Sequence, residues 1–395
     1  MRVLFLSPRQ CWPTTTGAKL REFHLARHVA REAELTLLAF SGQPMSEALA
    51  FCREVIVVPP PERYTSWKLL RGILGRDPVP VLNYTSDAMR EALAQLLARV
   101  PFDIVQIEGT PMAGYAGMIA RRLNPPAILY DWHNIESELM RRFAVQAGFA
   151  KKIYANFTAD RLAALERRML AGNAAHIVCS DREKERLQAI APNAFVQVVE
   201  NGVDCDSFSD STNQSRDSLV FVGSMDYHAN IESAVDFAKE IWPRARVEFP
   251  NLRLKLVGSN PAPPVRALAA EPGIEVTGTV PDIGPYYSAA VAAIVPLKTG
   301  GGTRLKILEA LAAGVPVIST RAGAEGLVLT PGEHLIIAET RDEWLGAIRR
   351  VFDPQAAAAL SAAGRKQVRD RYDWSIPGAR LLAVYRAITE RRQSR

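Results

Sequence analysis

Short apolar runs alternate with segments of helical spacing along most of the chain. Residues 3–6, 35–40, 55–58, 104–107, 127–130 and 176–179 each read as a buried strand. Between them, stretches such as LREFHLARHVAREA and SDAMREALAQLLARV repeat their apolar positions every three to four residues, the signature of an amphipathic helix. Strand and helix in alternation predict a parallel sheet covered on both faces. The rhythm breaks at SDSTNQSRDS, residues 209–218, which has the polar, aperiodic character of a linker. It then restarts, with strands expected at 219–222, 252–257, 274–276, 292–295, 315–319 and 335–337. The pattern therefore predicts an α/β protein of two doubly wound domains, 1–205 and 206–373. A helical segment at 374–395 has a spacing that suits either half, and we place it on the amino-terminal domain.

Length agrees, because 395 residues exceed one ordinary core. Hydrophobic residues make up 48% and charged residues 23%, which excludes a disordered or fibrous chain. The net charge of +6 favours anionic ligands without selecting one. The apolar stretch before Ser7 is too short for a signal-peptide core, and no window approaches the roughly 18 apolar residues of a membrane span. Cys11, Cys52, Cys179 and Cys205 form no C-x-x-C and no pairing pattern, so a cytoplasmic protein is expected.

The stretch TGGGTRLKILEALAAG, residues 299–314, carries the most specific chemistry. It follows an expected strand and opens an expected helix, the position where open parallel sheets bind ligands. Glycines let backbone N–H groups approach an anion closely, and the helix amino terminus adds partial positive charge. Lys306 and Glu309 lie roughly 60° apart on the helical wheel, opposite an apolar arc. A lysine there can neutralise phosphate, and a carboxylate deeper in can accept hydrogen bonds from a ribose diol. The same spacing also suits a solvated i,i+3 ion pair. The glycine and lysine spacing matches neither a Walker loop nor the G-x-G-x-x-G fingerprint.

GGGTRLKILEALAAGVPVISTRAGAEGL resembles the donor-nucleotide motif of the family 4 retaining glycosyltransferases, which have the GT-B fold. PTTTGAKLREFHLARHVA, DWHNIES, NGVD, FVGSMDYHAN and GTVPD follow in family order, so the resemblance spans nearly the whole chain. It implies two Rossmann-like domains facing a central cleft. It also implies transfer of a sugar from a nucleotide-diphosphate donor to an acceptor hydroxyl with retained configuration, independently of metal or cofactor. Glu309 matches the ribose-binding glutamate, and Gly301, Gly302 and Thr303 the backbone cradle for the diphosphate. Gly223 matches a glycine near the phosphates, while Thr279 and Val280 match the loop that meets the base. Gly17 corresponds to the amino-terminal glycine loop, His133 to the histidine near the transferred sugar, and Glu325 and Gly326 to the loop over that sugar. Two departures stand out. Gly301 occupies a position where many members have a glutamate, and GSMDYHANIE replaces a segment that often holds an arginine and a lysine. Lys306, with Arg304 as a second cation, then supplies the positive charge.

The resemblance implies cell-surface polysaccharide or glycolipid synthesis, with a saccharide or lipid-linked acceptor. A nucleotide-sugar epimerase or phosphorylase on the same fold is an alternative, as is a non-catalytic sugar-nucleotide binder. Asp204 and Asp206 spell D-x-D, but within and just after the NGVD turn, and His24 and His28 lack the rest of a zinc motif; no metal site is expected. Basic and aromatic residues mix between Glu136 and Arg168, which suits either a solvated helix or peripheral contact with the inner face of the plasma membrane. Nucleic acid is not expected, because no recognisable module accompanies the basic residues.

Overall fold

The computed structural model describes residues 1–146, 148–208, 216–298 and 304–393. Contacts divide the chain into two units, Met1–Glu200 with Pro377–Arg395, and Asn201–Ile376.

The first unit is built on seven parallel strands: β1 (Arg2–Ser7), β2 (Glu34–Phe40), β3 (Glu54–Val58), β4 (Ile104–Glu108), β5 (Ala127–Trp132), β6 (Ala175–Val178) and β7 (Phe195–Val198). Their spatial order is β3-β2-β1-β4-β5-β6-β7. Chain order reverses between β1 and β4, which pair in parallel with Val3 opposite Ile104 and Leu6 opposite Ile107. The second unit holds β8 (Ser218–Val222), β9 (Arg253–Val257), β10 (Ile274–Gly278), β11 (Ala290–Val295), β12 (Val317–Ser319) and β13 (Ile336–Ile337), ordered β10-β9-β8-β11-β12-β13. Here the reversal falls between β8 and β11. Such switch points open a crevice beyond the carboxyl ends of the strands.

Composition explains the strands. β1 and β11 are apolar runs buried along nearly their whole length, as parallel strands covered on both faces require, and β4, IVQIE, is buried throughout although it carries Gln106 and Glu108. β7, FVQV, is four residues long and mostly half-buried, because it pairs on one side only, with β6. It was absent from the sequence-based strands.

The carboxyl-terminal helix, Ser375–Gln393, belongs largely to the first unit. Its Tyr385 is fully buried and donates to Gln106 Oε1 on β4 at 2.5 Å, and Arg380 pairs with Glu200. The sequence-based boundaries at 205 and 373 need adjustment. The NGVD turn is drawn into the second unit by backbone hydrogen bonds, Val203 N–H to Tyr372 O at 2.8 Å and Trp374 N–H to Val203 O at 3.2 Å. The chain therefore changes unit at 200/201 and again at 376/377. The expected linker at 209–218 lies mostly outside the described residues.

Candidate active site

The second unit's site forms where its strand order reverses. The helix Leu305–Ala312 buries Ile307, Leu308 and Leu311 completely against the sheet. Full burial of such side chains is worth about 1.5–3 kcal/mol each, which fixes the helix's rotation. Lys306 and Glu309 are left half-buried on the other side. Lys306 Nζ donates to Asn230 Oδ1 at 2.9 Å and stands 4.3 Å from the centre of the Phe221 ring. It also lies close over Gly223, where an added Cβ would come within 2.8 Å of the ammonium nitrogen. Gly258, with φ +151°, brings the end of β9 against the same turn, since a Cβ there would meet the Gly223 carbonyl at 1.7 Å. Glycine at both positions lets the backbone crowd around the lysine.

Glu309 accepts from the hydroxyl of buried Tyr287 at 3.3 Å, and Tyr287 also donates to the Lys306 carbonyl at 3.2 Å. Among the described residues, Lys306 and Glu309 thus have separate hydrogen-bond partners, and the i,i+3 ion pair allowed by their spacing does not form. Burial, reinforced by Arg304, lowers the Lys306 ammonium to about 7, against the opposing pull of Glu309. Burial likewise raises the Glu309 carboxyl, with Tyr287 and Lys306 opposing. A buried cation whose charge is disfavoured, set at a strand-order reversal, marks a candidate functional site. Gly301, Gly302 and Thr303 lie outside the described residues. Arg304 is buried at the start of the helix and directs Nη2 to the Ala322 carbonyl at 3.4 Å, toward the loop that carries Glu325 and Gly326. Those two residues are exposed, with Gly326 at φ +85°.

The first unit gathers a second cluster at its own switch point. Ser7 ends β1, Glu108 ends β4, and His133 follows β5, while Glu22 comes from the helix Gly17–Val29. Thr16 caps that helix by accepting from Lys19 N–H, so Gly17 begins it and Glu22 sits in its second turn. Ser7 Oγ donates to Glu22 Oε2 at 2.7 Å, and Arg9 Nη2 and Nε donate to Glu22 Oε1 at 2.7 and 3.2 Å. His133 Nε2 lies 2.9 Å from Glu108 Oε2 and 3.8 Å from Glu22 Oε1. Gln106 Nε2 donates to Glu108 Oε1 at 2.6 Å. Beneath them Arg21 grips Asp131 with Nε and Nη2 and caps the Val199 carbonyl at 2.7 Å.

Burial raises Glu22 despite Arg9, and pushes Glu108 up to about 8 with help from Asp131. It lowers His133. The donor atoms of Glu22, Glu108 and His133 lie within 4.8 Å of one another, a set with metal-ligand chemistry. Arg9, Ser7, Gln106 and His133 engage all four carboxylate oxygens, so each has a protein partner. Only His133 of this group was singled out from the sequence. Glu108 is hidden in an apolar run, and Arg9 and Glu22 carry no motif of their own.

Comparison with known proteins identifies the family. The description "Glycosyl transferase 4-like domain" matches residues 16–202, and "Glycosyl transferases group 1" matches residues 216–353. The chain belongs to the group 1 glycosyltransferases. It is similar to phosphatidyl-myo-inositol mannosyltransferase of Mycobacterium tuberculosis, 27% identical over 48% of this chain and 53% of that protein. It is also similar to MMP alpha-(1->4)-mannosyltransferase of Mycolicibacterium hassiacum, 30% identical over 50% and 49%. The chain thus spans about half the length of the curated relatives it matches. Among solved structures, sucrose-phosphate synthase of Thermosynechococcus elongatus superposes with a TM-score of 0.72 at 19% identity, covering 98% of this chain and 99% of that one. Anabaena HepE in complex with UDP and glucose gives 0.67 at 16%, covering 97% and 99%. At such identities these two establish the fold, which is GT-B.

In this member of the family Gly223 and Lys306 meet, as do Glu309 and Tyr287. Thr279 and Val280 follow β10, Thr279 exposed and Val280 packed against the core. Asn230 and Tyr287 were missed from sequence. Asn230 lies in the very segment where the usual arginine and lysine are lacking, and a polar residue in the buried face of a helix was the available signal. Asp204 Oδ1 accepts from the Asp206 and Ser207 N–H groups, so the D-x-D forms a local cap.

Tyr385, Gln106 and Glu108 form a continuous hydrogen-bonded line from the carboxyl-terminal helix to His133. Tyr385→Phe removes a buried donor to Gln106 and is expected to cost about 1–3 kcal/mol of stability. Denaturant unfolding at neutral pH reads this loss; an unchanged midpoint would show that the line carries no load.

Proposed function

We propose that the protein transfers a sugar from a nucleoside diphosphate donor to an acceptor hydroxyl with retention of configuration, in polysaccharide or glycolipid synthesis. The observation that carries this reading is Lys306 held over Gly223 by Asn230, with Glu309 one turn deeper on the same helix. In the step, the bond between the sugar's anomeric carbon and the diphosphate oxygen breaks. A bond from the acceptor oxygen to that carbon forms, and the hydroxyl proton leaves with the diphosphate. Lys306 and the N–H groups of Gly301, Gly302 and Thr303 take the developing negative charge. Glu309 accepts from the ribose, while Thr279 and Val280 border the base. Glu325 and Gly326 cover the sugar, and His133 orients it. The mannosyltransferase relatives and the UDP and glucose bound to HepE support a hexose donor. No metal or cofactor is assigned a step, and no nucleic acid is bound. The acceptor is a saccharide or a lipid-linked one met at the inner face of the plasma membrane. No helix among the described residues is long and apolar enough to cross a membrane.

Incubation with labelled nucleotide sugars and an acceptor panel tests the reading. Transfer supports it, and an isomerised or phosphorolysed product overturns it. Binding without turnover would favour a non-catalytic binder, a reading that Gly301 in place of the usual glutamate keeps in view. Glu309→Ala is expected to raise the donor KM about tenfold, the loss of one charge-assisted hydrogen bond. Normal donor binding by that variant would remove Glu309 from the site.

A further inference from the structure

Outside both clusters, the first unit carries a surface that packing and charge leave unexplained. The helix Ser66–Leu74 turns Trp67, Leu70 and Leu74 outward in one stripe, with Trp67 67% and Leu74 76% exposed. The helix Phe149–Leu170 does the same with Phe149, Ile153 and Phe157, where Phe149 is 83% exposed. The two helices meet. Ile73 and Leu69 share an apolar groove of about 220 Å³ with Tyr154 and Phe157, and Arg161 locks the helices together by donating to the Ile73 and Gly75 carbonyls. Scattered apolar side chains need no explanation, but two exposed stripes on helices that share an apolar groove do.

Charge selects what covers them. Residues 63–76, RYTSWKLLRGILGR, and 149–157, FAKKIYANF, contain six cations, Arg63, Lys68, Arg71, Arg76, Lys151 and Lys152; Glu62 and Asp77 flank the first segment, where Lys68 donates to the Glu62 carbonyl at 2.5 Å and Asp77 pairs with Arg168, so cations outnumber carboxylates six to two. Across the whole chain 48 basic residues face 42 acidic ones, so this separation is local. On the preceding helix, Glu136–Gln146, the cations are paired, Arg141 with Asp160 and Arg142 with Glu138. A second copy of the chain would set like charge against like charge. An anionic bilayer supplies both halves of the match, acyl chains for the rings and headgroups for the long basic side chains that snorkel around them.

We propose that this face docks on an anionic membrane surface, with Trp67, Leu70, Leu74, Phe149 and Ile153 entering the interface and the six cations contacting lipid phosphate. It deepens the reading of a membrane-held acceptor and does not depend on the transfer chemistry. It also moves the contact away from the broad 136–168 span suggested by sequence and onto two stripes, one of which lies outside that span.

Sedimentation with vesicles separates the outcomes. The protein is expected to pellet with vesicles of equal parts phosphatidylglycerol and phosphatidylcholine, and about tenfold less with phosphatidylcholine alone or in high salt. Trp67→Glu with Leu74→Glu is expected to lower binding at least about tenfold, and Lys151→Glu with Lys152→Glu to lower it and flatten its salt dependence. All four positions are exposed, so thermal unfolding and donor turnover with a soluble acceptor should be unchanged. Equal binding to both vesicle types, no binding, or variants that bind like the parent would overturn the proposal. So would a dimer dispersed by the same substitutions, which would assign the face to a second copy. Loss of transfer with vesicle binding intact would count against the function reading alone.

Discussion

Lys306→Ala is expected to lower kcat by about 10²-fold to 10³-fold, the range found when one preorganised donor to developing negative charge is removed. The ammonium is held in place by Asn230 at 2.9 Å, the Phe221 ring and the Gly223 backbone, so it needs little reorganisation when the diphosphate leaves. Its pH dependence gives a second readout. Burial and Arg304 bring Lys306 to about 7, so in the free enzyme the charge is present below that pH and lost as pH rises through it. The kcat/KM profile, which reports the free enzyme, should therefore fall above about 7. Bound diphosphate favours the charged lysine, so the kcat profile should stay level to higher pH. Lys306→Arg retains charge at every pH and should abolish that fall. It should recover activity only in part, because the wider guanidinium has to fit where a Cβ on Gly223 would already lie 2.8 Å from Nζ. A Lys306→Ala enzyme with parental kcat and an unaltered profile would remove Lys306 from catalysis.

How much of this was legible in the sequence depends on the distance over which each residue finds its partners. β1 and β11 announce themselves because a parallel strand buried on both faces is an uninterrupted apolar run. Lys306 and Glu309 are legible for a similar reason, since one helix turn relates them and the glycines before them mark the loop. Glu22, Glu108 and Arg9 are different. Glu108 closes the run IVQIE and passes for its polar end, and its partner His133 is 25 residues away. Tyr385 reaches Gln106 across 279 residues. No local pattern encodes such contacts, because the sheet order creates them. Ser7, Glu108 and His133 converge where β1, β4 and β5 lie side by side, and Gly223 and Lys306 converge at the corresponding reversal between β8 and β11. β7 was missed because it is only four residues long and Gln197 interrupts it. The unit boundary shifted because Val203 pairs with Tyr372 and Trp374, residues far along the chain.

The line of hydrogen bonds ending on His133 leads to the second large effect. Tyr385 donates to Gln106 Oε1, which leaves Gln106 Nε2 to donate to Glu108 Oε1 and only Glu108 Oε2 to face His133 Nε2. Below about 8, Glu108 keeps its proton and donates it to Nε2, so the neutral imidazole carries its own hydrogen on Nδ1. Above that value the carboxylate accepts from Nε2–H, and Nδ1 becomes an acceptor. Glu108→Ala frees the ring and is expected to cost about 10²-fold in kcat, as a misplaced orienting group does. Glu108→Gln has an amide that donates to Nε2 at every pH, so it should retain activity at pH values near neutrality and lack the parent's change near 8. Stability supplies an independent sign. A carboxyl raised from 4.5 to about 8 holds its proton in the folded state where the unfolded chain has lost it. Stability from this group is therefore full below 4.5 and declines as pH rises through about 8. The Glu108→Gln protein should escape that decline and be the more stable of the two in mild alkali, measured by denaturant unfolding across the same pH range. If Gln is as inactive as Ala, or if its stability declines in parallel with the parent, Glu108 does not set the proton on His133.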